Sequence, residues 1–331
     1  MKLILIVFIC LINYTFYHQT NTTNDDGIDL PKGFPKPIVP EHNEITPERV
    51  ALGKRLFFDN VMSRKKNLSC SSCHKPELAF TDGQVRSIGN GGDTLLRNSP
   101  SLVNIAYHQK GLMLDGGVAS LEQQILVPIQ EHSEFDFNLL LIAERLKQDS
   151  LYIKQSKSAY GRIPDPYVIT RAIACYERTL IFGDSKYDRY LNGDSSAMNQ
   201  SELRGMALFF DELDCHGCHS GFNFTNYEIL NNGLFMDSYP LDSGRMRITL
   251  KETDRDKFKV PSLRNVEITA PYMHNGMFTT LDQVIDHYAS GGKSHKNKDH
   301  RIQPFIISYD DKKDLIAFLK SLTAKRFSAE F

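Results

Sequence analysis

The sequence predicts a mainly α-helical protein of two domains connected by long ordered loops. Its 331 residues correspond to about two domains at roughly 150 residues each, and 41% hydrophobic with 24% charged residues is an ordinary globular composition. Apolar residues recur at helical spacing in several segments, whereas alternating, strand-like runs are few. The intervening stretches are rich in Gly, Asn and Ser, and loops of this length are uncommon unless a large ligand organises them.

Charge and cysteine content exclude several classes of protein. The chain has 39 Lys and Arg against 40 Asp and Glu, a net charge of −1, which argues against a broadly basic surface and a nucleic-acid partner. Six cysteines in the whole chain are too few for a disulfide scaffold.

The N-terminus is typical of an export signal. Lys2 precedes an apolar run over residues 3–12, and the chain is polar from His18 onward. A membrane anchor is the alternative, but the apolar stretch is shorter than the ~20 residues of a spanning helix. Lipidation at Cys10 is disfavoured, because residues 7–9 lack the small side chain that usually precedes such a cysteine. We predict a signal peptide over residues 1–20, no stable membrane span and a periplasmic location.

The elements that follow can be placed from local signals. Residues 21–45 are polar and then proline-rich, which indicates an extended linker rather than part of a core. Thr46 and Pro47 are a hydroxyl cap and a first-turn proline, so a helix begins there. Helical periodicity then recurs at 139–146, 168–182, 202–210, 281–288 and 314–322. Cys175, inside one of these segments, is predicted to be a buried structural thiol.

A C-x-x-C-H motif occurs twice, at residues 70–74 and 215–219. This is the attachment signature of c-type haem: two thiols on one helical turn bind the porphyrin, and the next imidazole lies beneath the iron. A zinc site or a redox dithiol is the alternative, but neither explains a histidine after both pairs. The motifs predict two covalent haems, one in residues 46–195 and one in residues 196–331, bound by Cys70, Cys73, His74, Cys215, Cys218 and His219, with His74 and His219 as iron ligands.

Several further motifs resemble those of the bacterial di-haem cytochrome c peroxidases and their MauG-like relatives. They are HKPELAFTDG at 74–83, RNSPSLVN at 97–104, LDGG at 114–117 with LEQQ at 121–124, ERTL at 177–180, YDRYL at 187–191, FKVPSLRN at 258–265 and TAPYMHNG at 269–276. The likeness is collinear and covers most of the chain beyond the linker.

The resemblance implies two cytochrome c-like haem domains and an enzyme that reduces hydrogen peroxide to water. Peroxide would bind the N-terminal haem, and electrons would arrive through the C-terminal haem from a small donor protein, a cytochrome c or a cupredoxin. MauG-like oxidation of residues in a partner protein is the alternative within the same family. A di-haem electron carrier with both irons closed is the alternative outside the enzymes. A homodimer is compatible with the resemblance.

The chain departs from the family pattern around the first haem. Many members have a histidine that closes the sixth site of this haem until reduction releases it, and Asn90 occupies that position here. We therefore expect a first haem that is open without reductive activation. Leu114 replaces the aromatic residue and Gly117 the arginine of the family's WDGR segment, and the chain contains no Trp. Electron transfer between the haems must then use another aromatic residue or the haem edges.

The family register also implies candidate reacting groups. Gln124 and Glu134 lie 10 and 20 residues after Leu114, at the positions of the distal Gln and the acid–base Glu. A carboxylate in a dry pocket can move the proton that peroxide cleavage requires, and Gln124 would orient the substrate. Glu131 is the fallback for the acid–base group.

At the second haem the register places Tyr288 where many members have an axial Met. MauG has Tyr at this position, and an anionic oxygen ligand favours ferric iron. Alternatively Tyr288 is a half-buried helix residue, and His287, Met273 or Met277 closes the iron.

The resemblance also implies a calcium site between the domains. The matching ligands are the Asn98 side chain and the backbone carbonyls of Thr269 and Pro271, in keeping with the preference of calcium for hard oxygen ligands. Alternatively, Asn98 only caps a turn.

Overall fold

The structure, a computed structural model, describes residues 28–108, 111–235 and 242–325. It is mainly helical, as predicted, with long loops between the helices. The predicted signal peptide over residues 1–20, including Cys10, lies outside the described residues. None of the helices in the described ranges is both long and apolar enough to cross a membrane.

Twelve α-helices are formed by the described residues, and several predicted segments match them closely. In chain order they are α1 Pro47–Phe58, α2 Cys70–Cys73, α3 Leu121–Gln124, α4 Leu126–Gln130, α5 Leu139–Leu146, α6 Ser150–Tyr160, α7 Pro166–Arg178, α8 Lys186–Leu191, α9 Gln200–Ala207, α10 Met246–Thr249, α11 Leu281–Ala289 and α12 Tyr309–Lys320. A π-turn over Leu208–Glu212 extends α9. The two strands are β1 Ile229–Leu230 and β2 Phe258–Lys259, which pair antiparallel.

Side-chain caps explain where the main helices begin. Thr46 accepts a hydrogen bond from the backbone N–H of Arg49, with Pro47 at the first helical position. Asp165 caps α7 in the same way, and Thr280 caps α11 in a reciprocal capping box. Each cap satisfies backbone donors that have no partner inside the helix.

Each half of the chain is built on two helices that cross at a glycine. In the first half, a Cβ on Gly53 of α1 would lie 1.8 Å from the carbonyl oxygen of Ala172 in α7. In the second half, a Cβ on Gly205 of α9 would lie 1.9 Å from the carbonyl oxygen of Asp314 in α12. No side chain fits at either crossing, so the helix backbones touch. Two separate hydrophobic cores surround these crossings.

The loops beside the two crossings are also equivalent. The Asn104 N–H donates to the Leu180 carbonyl at 2.8 Å, and the Asn265 N–H donates to the Leu322 carbonyl at 3.2 Å. The Asn104 side chain accepts the Phe182 N–H and the Asn265 side chain accepts the Ala324 N–H, both at 2.8 Å. Phe182 and Ala324 each lie two residues after the leucine that the asparagine backbone contacts. Both asparagines have left-handed backbones, a conformation that Asn tolerates better than most residues. The two halves are therefore structural duplicates.

The lead-in segment, predicted to stay outside the core, is partly buried. Residues 28–45 contain only a short 3-10 turn, so the segment is extended as expected. However, Ile28 and Ile45 are buried in a small third core that includes Cys175, which is fully buried as predicted. Phe34 packs edge-on against Phe222 of the second half, with ring centroids 4.8 Å apart. The polar and proline-rich composition of the segment did not predict that its few apolar residues are buried.

The glycine crossings generate a stability prediction. We expect Gly53→Ala to lower the free energy of unfolding by about 1–3 kcal/mol, because the new methyl group forces α1 away from α7. Denaturant unfolding monitored by circular dichroism measures this. The control is Lys54→Ala, since Lys54 is the next, exposed residue of α1. A Gly53→Ala protein within about 0.5 kcal/mol of wild type, the usual range of surface changes, would contradict the crossing.

Candidate functional site

The first C-x-x-C-H motif forms a single helical turn with its histidine turned toward the core. Cys70 and Cys73 begin and end α2, so both thiols lie on one turn. The Nδ1 atom of His74 is 2.9 Å from the Phe80 carbonyl oxygen. This bond orients the ring and leaves Nε2 available to a metal, the usual arrangement of a ligating histidine.

The second motif repeats this geometry. Residues Cys215–Gly217 form a 3-10 turn, and the His219 Nδ1 atom is 3.2 Å from the carbonyl oxygens of both Phe224 and Pro261. Phe224 has a left-handed backbone, as does Phe80 in the first half. The two histidines are thus held by equivalent loops.

The arrangement fits haem and does not fit the zinc alternative. All four motif cysteines are free thiols. Among residues 28–108, 111–235 and 242–325, no three or more His, Cys, Asp or Glu side chains form a cluster suited to a metal ion. Each motif therefore faces its own site with one free imidazole nitrogen, which is what a covalently bound porphyrin requires.

Glu134 acts on the first motif through its charge. Burial raises the pKa of the Cys73 thiol, and the charges of Asp82 and then of Glu134 raise it further, so Glu134 and Cys73 are electrostatic neighbours. Burial, and then the charge of Glu131, raise the pKa of Glu134 to about 7. Glu131 itself is exposed and accepts hydrogen bonds from Ser133. Glu131 therefore acts on Glu134 through its charge but is itself exposed to solvent.

The loop that contains Asn90 holds Glu134 in place. The Asn90 N–H donates to the Glu134 carbonyl at 2.8 Å, and a Cβ on Gly89 would lie 1.6 Å from the Ser133 carbonyl oxygen. The Asn90 side chain is buried and accepts the Lys65 N–H at 3.1 Å. Asn90 is therefore occupied in tethering two loops.

Gln124 is placed at the end of α3. Its Nε2 atom donates to the sulfur of Met113 at 3.8 Å. In the described part of the chain no hydrogen bond joins Gln124 to Glu134. Glu122, on the same helix, points the other way and forms a buried two-bond ion pair with Arg178.

Tyr288 is a candidate axial residue whose phenol interacts electrostatically with the second motif. Burial raises the pKa of its phenol, and the charges of Cys218 and Cys215 raise it further, which places the phenol beside both cysteines. Its oxygen accepts a hydrogen bond from Asn232 at 3.2 Å, and Asn232 also contacts the Met273 sulfur at 3.6 Å.

There are three other candidates, of which Met273 shares the contact with Asn232. The Nε2 atom of His287 is 3.0 Å from the Asn232 carbonyl oxygen, which leaves only its Nδ1 atom for a metal. Met277 is 44% exposed and lines a cavity of about 180 Å³ near Phe258 and His274.

The duplicated fold shows what the first half has in place of Tyr288. Ser120 and Thr280 are equivalent N-caps, and each follows an equivalent bridge, Leu112 with Val118 and Tyr272 with Phe278. The residue that lies eight positions after Thr280 is Tyr288, and eight positions after Ser120 is Pro128. Proline has no side-chain donor atom, so this position in the first half cannot supply an iron ligand.

The predicted calcium ligands are close in sequence to a contact between the halves. The Asn98 N–H donates to the His274 carbonyl at 2.9 Å, and its side-chain Nδ2 donates to the Gln84 carbonyl at 2.7 Å. Thr269 and Pro271 precede His274 by five and three residues. The Asn98 side chain thus contacts the loop at Gln84 through its nitrogen, and its oxygen is not used in that bond.

A buried ion network joins the halves at the LDGG segment. Asp115 is fully buried and binds Arg97 and Arg247, each at 2.7 Å. Arg97 also forms two hydrogen bonds with Asp242, at 2.5 and 2.8 Å. Both pairs lower the pKa of the two carboxyl groups against the opposing effect of burial.

Sequence analysis missed the second-half residues of this network. The space beside Gly117 is occupied by α10, since a Cβ on Gly117 would lie 2.9 Å from the Ile248 side chain. The neighbouring Arg247 donates a hydrogen bond to Asp115. The available signal for this network was a charged cluster around a glycine, formed by Asp242, Arg245 and Arg247. Nothing local in the sequence connects this cluster to Asp115, which lies 127 or more positions earlier.

Comparisons with known proteins agree with this geometry. A family profile described as "Di-haem cytochrome c peroxidase" matches residues 47–196. The chain is 37% identical to the methylamine utilization protein MauG of Methylorubrum extorquens, over 86% of this chain and 81% of that protein. It is 35% identical to the cytochrome-c peroxidase IdrP1 of a Pseudomonas species, over 92% of this chain and 88% of that protein.

A solved structure has the same fold over nearly the whole chain. It is described as a MauG-like protein associated with microbial copper homeostasis, and it aligns with a TM-score of 0.85 at 33% identity, covering 91% of this chain and 97% of that one.

Proposed function

Because the chain belongs to the di-haem cytochrome c peroxidase family, we propose that it reduces hydrogen peroxide to water at the site around His74. The electrons would come from an external donor and enter through the site around His219. The observation that supports this best is Glu134, a partly buried carboxyl with a raised pKa beside Cys73. Perturbed acids in such positions are typical of acid–base catalysis. Steady-state peroxide turnover by the haem-loaded protein, at two donor molecules oxidised per peroxide, tests the proposal.

The cofactor in this proposal is covalent haem c at both motifs. Cys70, Cys73, Cys215 and Cys218 would form the thioether bonds, and His74 and His219 would ligate the irons through Nε2. When bound, haem supplies the redox-active iron of both sites. The protein contributes the fixed imidazoles, the surrounding core and the acid–base groups.

In this proposal Glu134 moves the proton. As a carboxylate it accepts a proton from one oxygen of peroxide, and as an acid it returns that proton to the other oxygen, which leaves as water. A pKa of about 7 allows both directions at neutral pH. Gln124, held by Met113, would donate a hydrogen bond that orients the peroxide.

The two sites are proposed to differ in what closes them. Tyr288 would ligate the second iron, with Asn232 donating a hydrogen bond to the phenolic oxygen. The first iron would stay open, since Asn90 is tethered to Lys65 and Pro128 offers no donor atom. Substrate chemistry would then be confined to the first site.

The remaining parts of the proposal concern the setting of the enzyme. Residues 1–20 would direct export to the periplasm, and residues 46–195 and 196–331 would form the peroxidatic and electron-transfer domains. A small cytochrome c or cupredoxin would be the donor. Calcium bound by the Asn98 side chain and the carbonyls of Thr269 and Pro271 would stabilise the contact between the domains, and metal analysis of the purified protein tests this.

Oxidation of a partner protein is the second candidate function. It is favoured by Tyr288, which lies beside the second motif, since a phenolate ligand helps a haem hold an oxidising equivalent. Detection of a hydroxylated or crosslinked partner after peroxide treatment would distinguish this function from simple peroxide disposal.

Glu134 yields the first functional prediction. We expect Glu134→Gln to lower peroxide turnover by ~10²–10⁴-fold, the usual size of an acid–base contribution. The wild-type kcat/KM should fall as pH drops below about 7, because protonation removes the base, and the variant should lose this limb. Glu131→Gln is the matched control: its maximal turnover should stay near that of wild type, and its pH limb should move to lower pH, because the substitution removes a charge that raises the pKa of Glu134. A Glu134→Gln enzyme within threefold of wild type, with both haems intact, would identify another group as the acid.

The open first site yields the second functional prediction. The fully oxidised protein should contain high-spin ferric iron by electron paramagnetic resonance and should react with peroxide without prior reduction. Pro128→His should introduce a ligand and convert this signal to low spin, whereas Pro128→Ala should not. An oxidised wild-type protein that is inert until it receives one electron would contradict the open site.

Tyr288 yields the third. A phenolate ligand favours ferric iron, so Tyr288→Met should raise the reduction potential of the second haem and introduce the near-infrared band of a His/Met haem. His287→Gln is the control and should leave the potential unchanged. If the wild type already has the His/Met band, and the substitution leaves it in place, Met273 is the ligand.

A further inference from the structure

One buried acid in the first half has no counterpart in the second. Glu177, in the last turn of α7, is 4% exposed, and its Oε2 atom is buried without a hydrogen-bond partner. A buried polar atom without a partner costs free energy, and a stable protein retains few of them. The proposed mechanism does not use this carboxyl group.

The duplicated fold identifies the equivalent residue. The carbonyl groups of Leu180 and Leu322 accept the two corresponding asparagine amides, so they occupy the same place in the two halves. Three residues earlier lie Glu177 and Leu319. Leu319 is a buried member of the second core. The fold thus accepts a leucine at this place, and the first half has an acid there instead.

Cys70 of the first motif packs against the same hydrophobic core as α7, the helix that contains Glu177. Burial raises the pKa of the Cys70 thiol, and the charge of Glu177 raises it further, so the carboxyl group is an electrostatic neighbour of that thiol. In the second half, the charges that act on Cys215 are those of Asp214 and Cys218, with none from α12. An acid within the core beside the attachment cysteine is therefore specific to the first site.

Few other ionisable groups face Glu177. On its own helix they are Tyr176 and Arg178. Glu122 of α3 faces it as well and is already paired with Arg178. Cys70 of α2 is the remaining group, and it would have no charge as a thioether. The residues of α1 and α5 that pack into this core are apolar: Leu52, Leu56, Phe57, Leu139, Ile142, Ala143 and Leu146. With its nearest cation shared with Glu122, the carboxyl group has a pKa raised to about 8, mainly by burial.

We propose that Glu177 is the redox-linked proton site of the first haem, binding a proton when the haem attached at Cys70 and Cys73 gains an electron. The inference depends on the haem attachment proposed above. One electron from a donor reduces the iron by one unit, and one proton from solvent converts the carboxylate to the acid, so the charge in the core does not change. Placing a net negative charge in a low-dielectric core is costly, which is why the two events are coupled.

The coupling has a consequence for peroxide chemistry. At pH values above the pKa of Glu177 in the oxidised protein, each electron delivered to the first site would be accompanied by a proton that Glu177 takes up from solvent, independently of Glu134. The second site, with leucine at the equivalent position, would take up electrons without this proton. Proton uptake would then be confined to the half that must form water.

The test is a redox titration of the first haem, followed by its own absorption band, at a series of pH values above 7. At pH values above the pKa of Glu177 in the oxidised protein, the wild-type equilibrium constant for reduction should fall up to tenfold per pH unit, which for one electron is about 59 mV. In Glu177→Gln, a neutral group of the same shape, this dependence should disappear. Infrared difference spectra of reduction should contain a protonated-carboxyl band in the wild type only.

Two further variants separate Glu177 from its surroundings. Glu177→Leu copies the second half and should also abolish the dependence, which keeps the test valid if the glutamine variant folds poorly. Glu134→Gln should remove only a component near pH 7 and leave the higher one. A wild-type potential that is independent of pH above 7, or a dependence unchanged in Glu177→Gln and Glu177→Leu, would overturn the inference. Denaturing mass spectrometry reports haem attachment separately, so a failure of the proposed cofactor is distinguishable.

Discussion

The contact of two helix backbones at a glycine is the constraint on which each half of this protein depends. At Gly53 the backbone of α1 touches that of α7, and at Gly205 the backbone of α9 touches that of α12. Beyond the ends of α7 and α12, the carbonyl groups of Leu180 and Leu322 accept the N–H groups of Asn104 and Asn265. These asparagines begin the loops that lead to the distal residues of each site.

Duplication makes the differences between the halves informative. The helix that brings Tyr288 toward the second motif corresponds to a stretch with Pro128 in the first half. At another pair of equivalent positions, α7 contributes Glu177 to the first half and α12 contributes Leu319 to the second. Glu134 is not matched to a residue of the second half in this comparison, since it belongs to a loop held by Gly89 and Asn90. Under the proposed function, each difference would either remove a ligand from the first site or add an acid to it, which is the pattern expected when one haem reacts and the other conducts.

The halves are connected by charges as well as by apolar contacts. Asp115 is buried between Arg97 and Arg247, and Arg97 in turn holds Asp242. A buried ion network of this kind is weak evidence for stability, since desolvation offsets most of its attraction. Its geometry is specific, however, because removing one partner strands a buried charge. The network therefore defines how the LDGG segment sits against α10, at the place where the family's Trp and Arg are missing.

The sequence by itself determined the two haem-attachment motifs, the family, the helical class and the starts of helices such as α1 and α11, because those signals are local in the chain. It left helices such as α6 undetected, since few residues of α6 are buried. The repeat P-S-L-x-N at 100–104 and 261–265 was an available signal of the duplication. Only the tertiary structure decided that burial raises the pKa of Glu134, that Pro128 corresponds to Tyr288, and that the Oε2 atom of Glu177 is buried without a hydrogen-bond partner. Burial, pKa and equivalence between halves depend on contacts between residues far apart in sequence, and no local pattern specifies them.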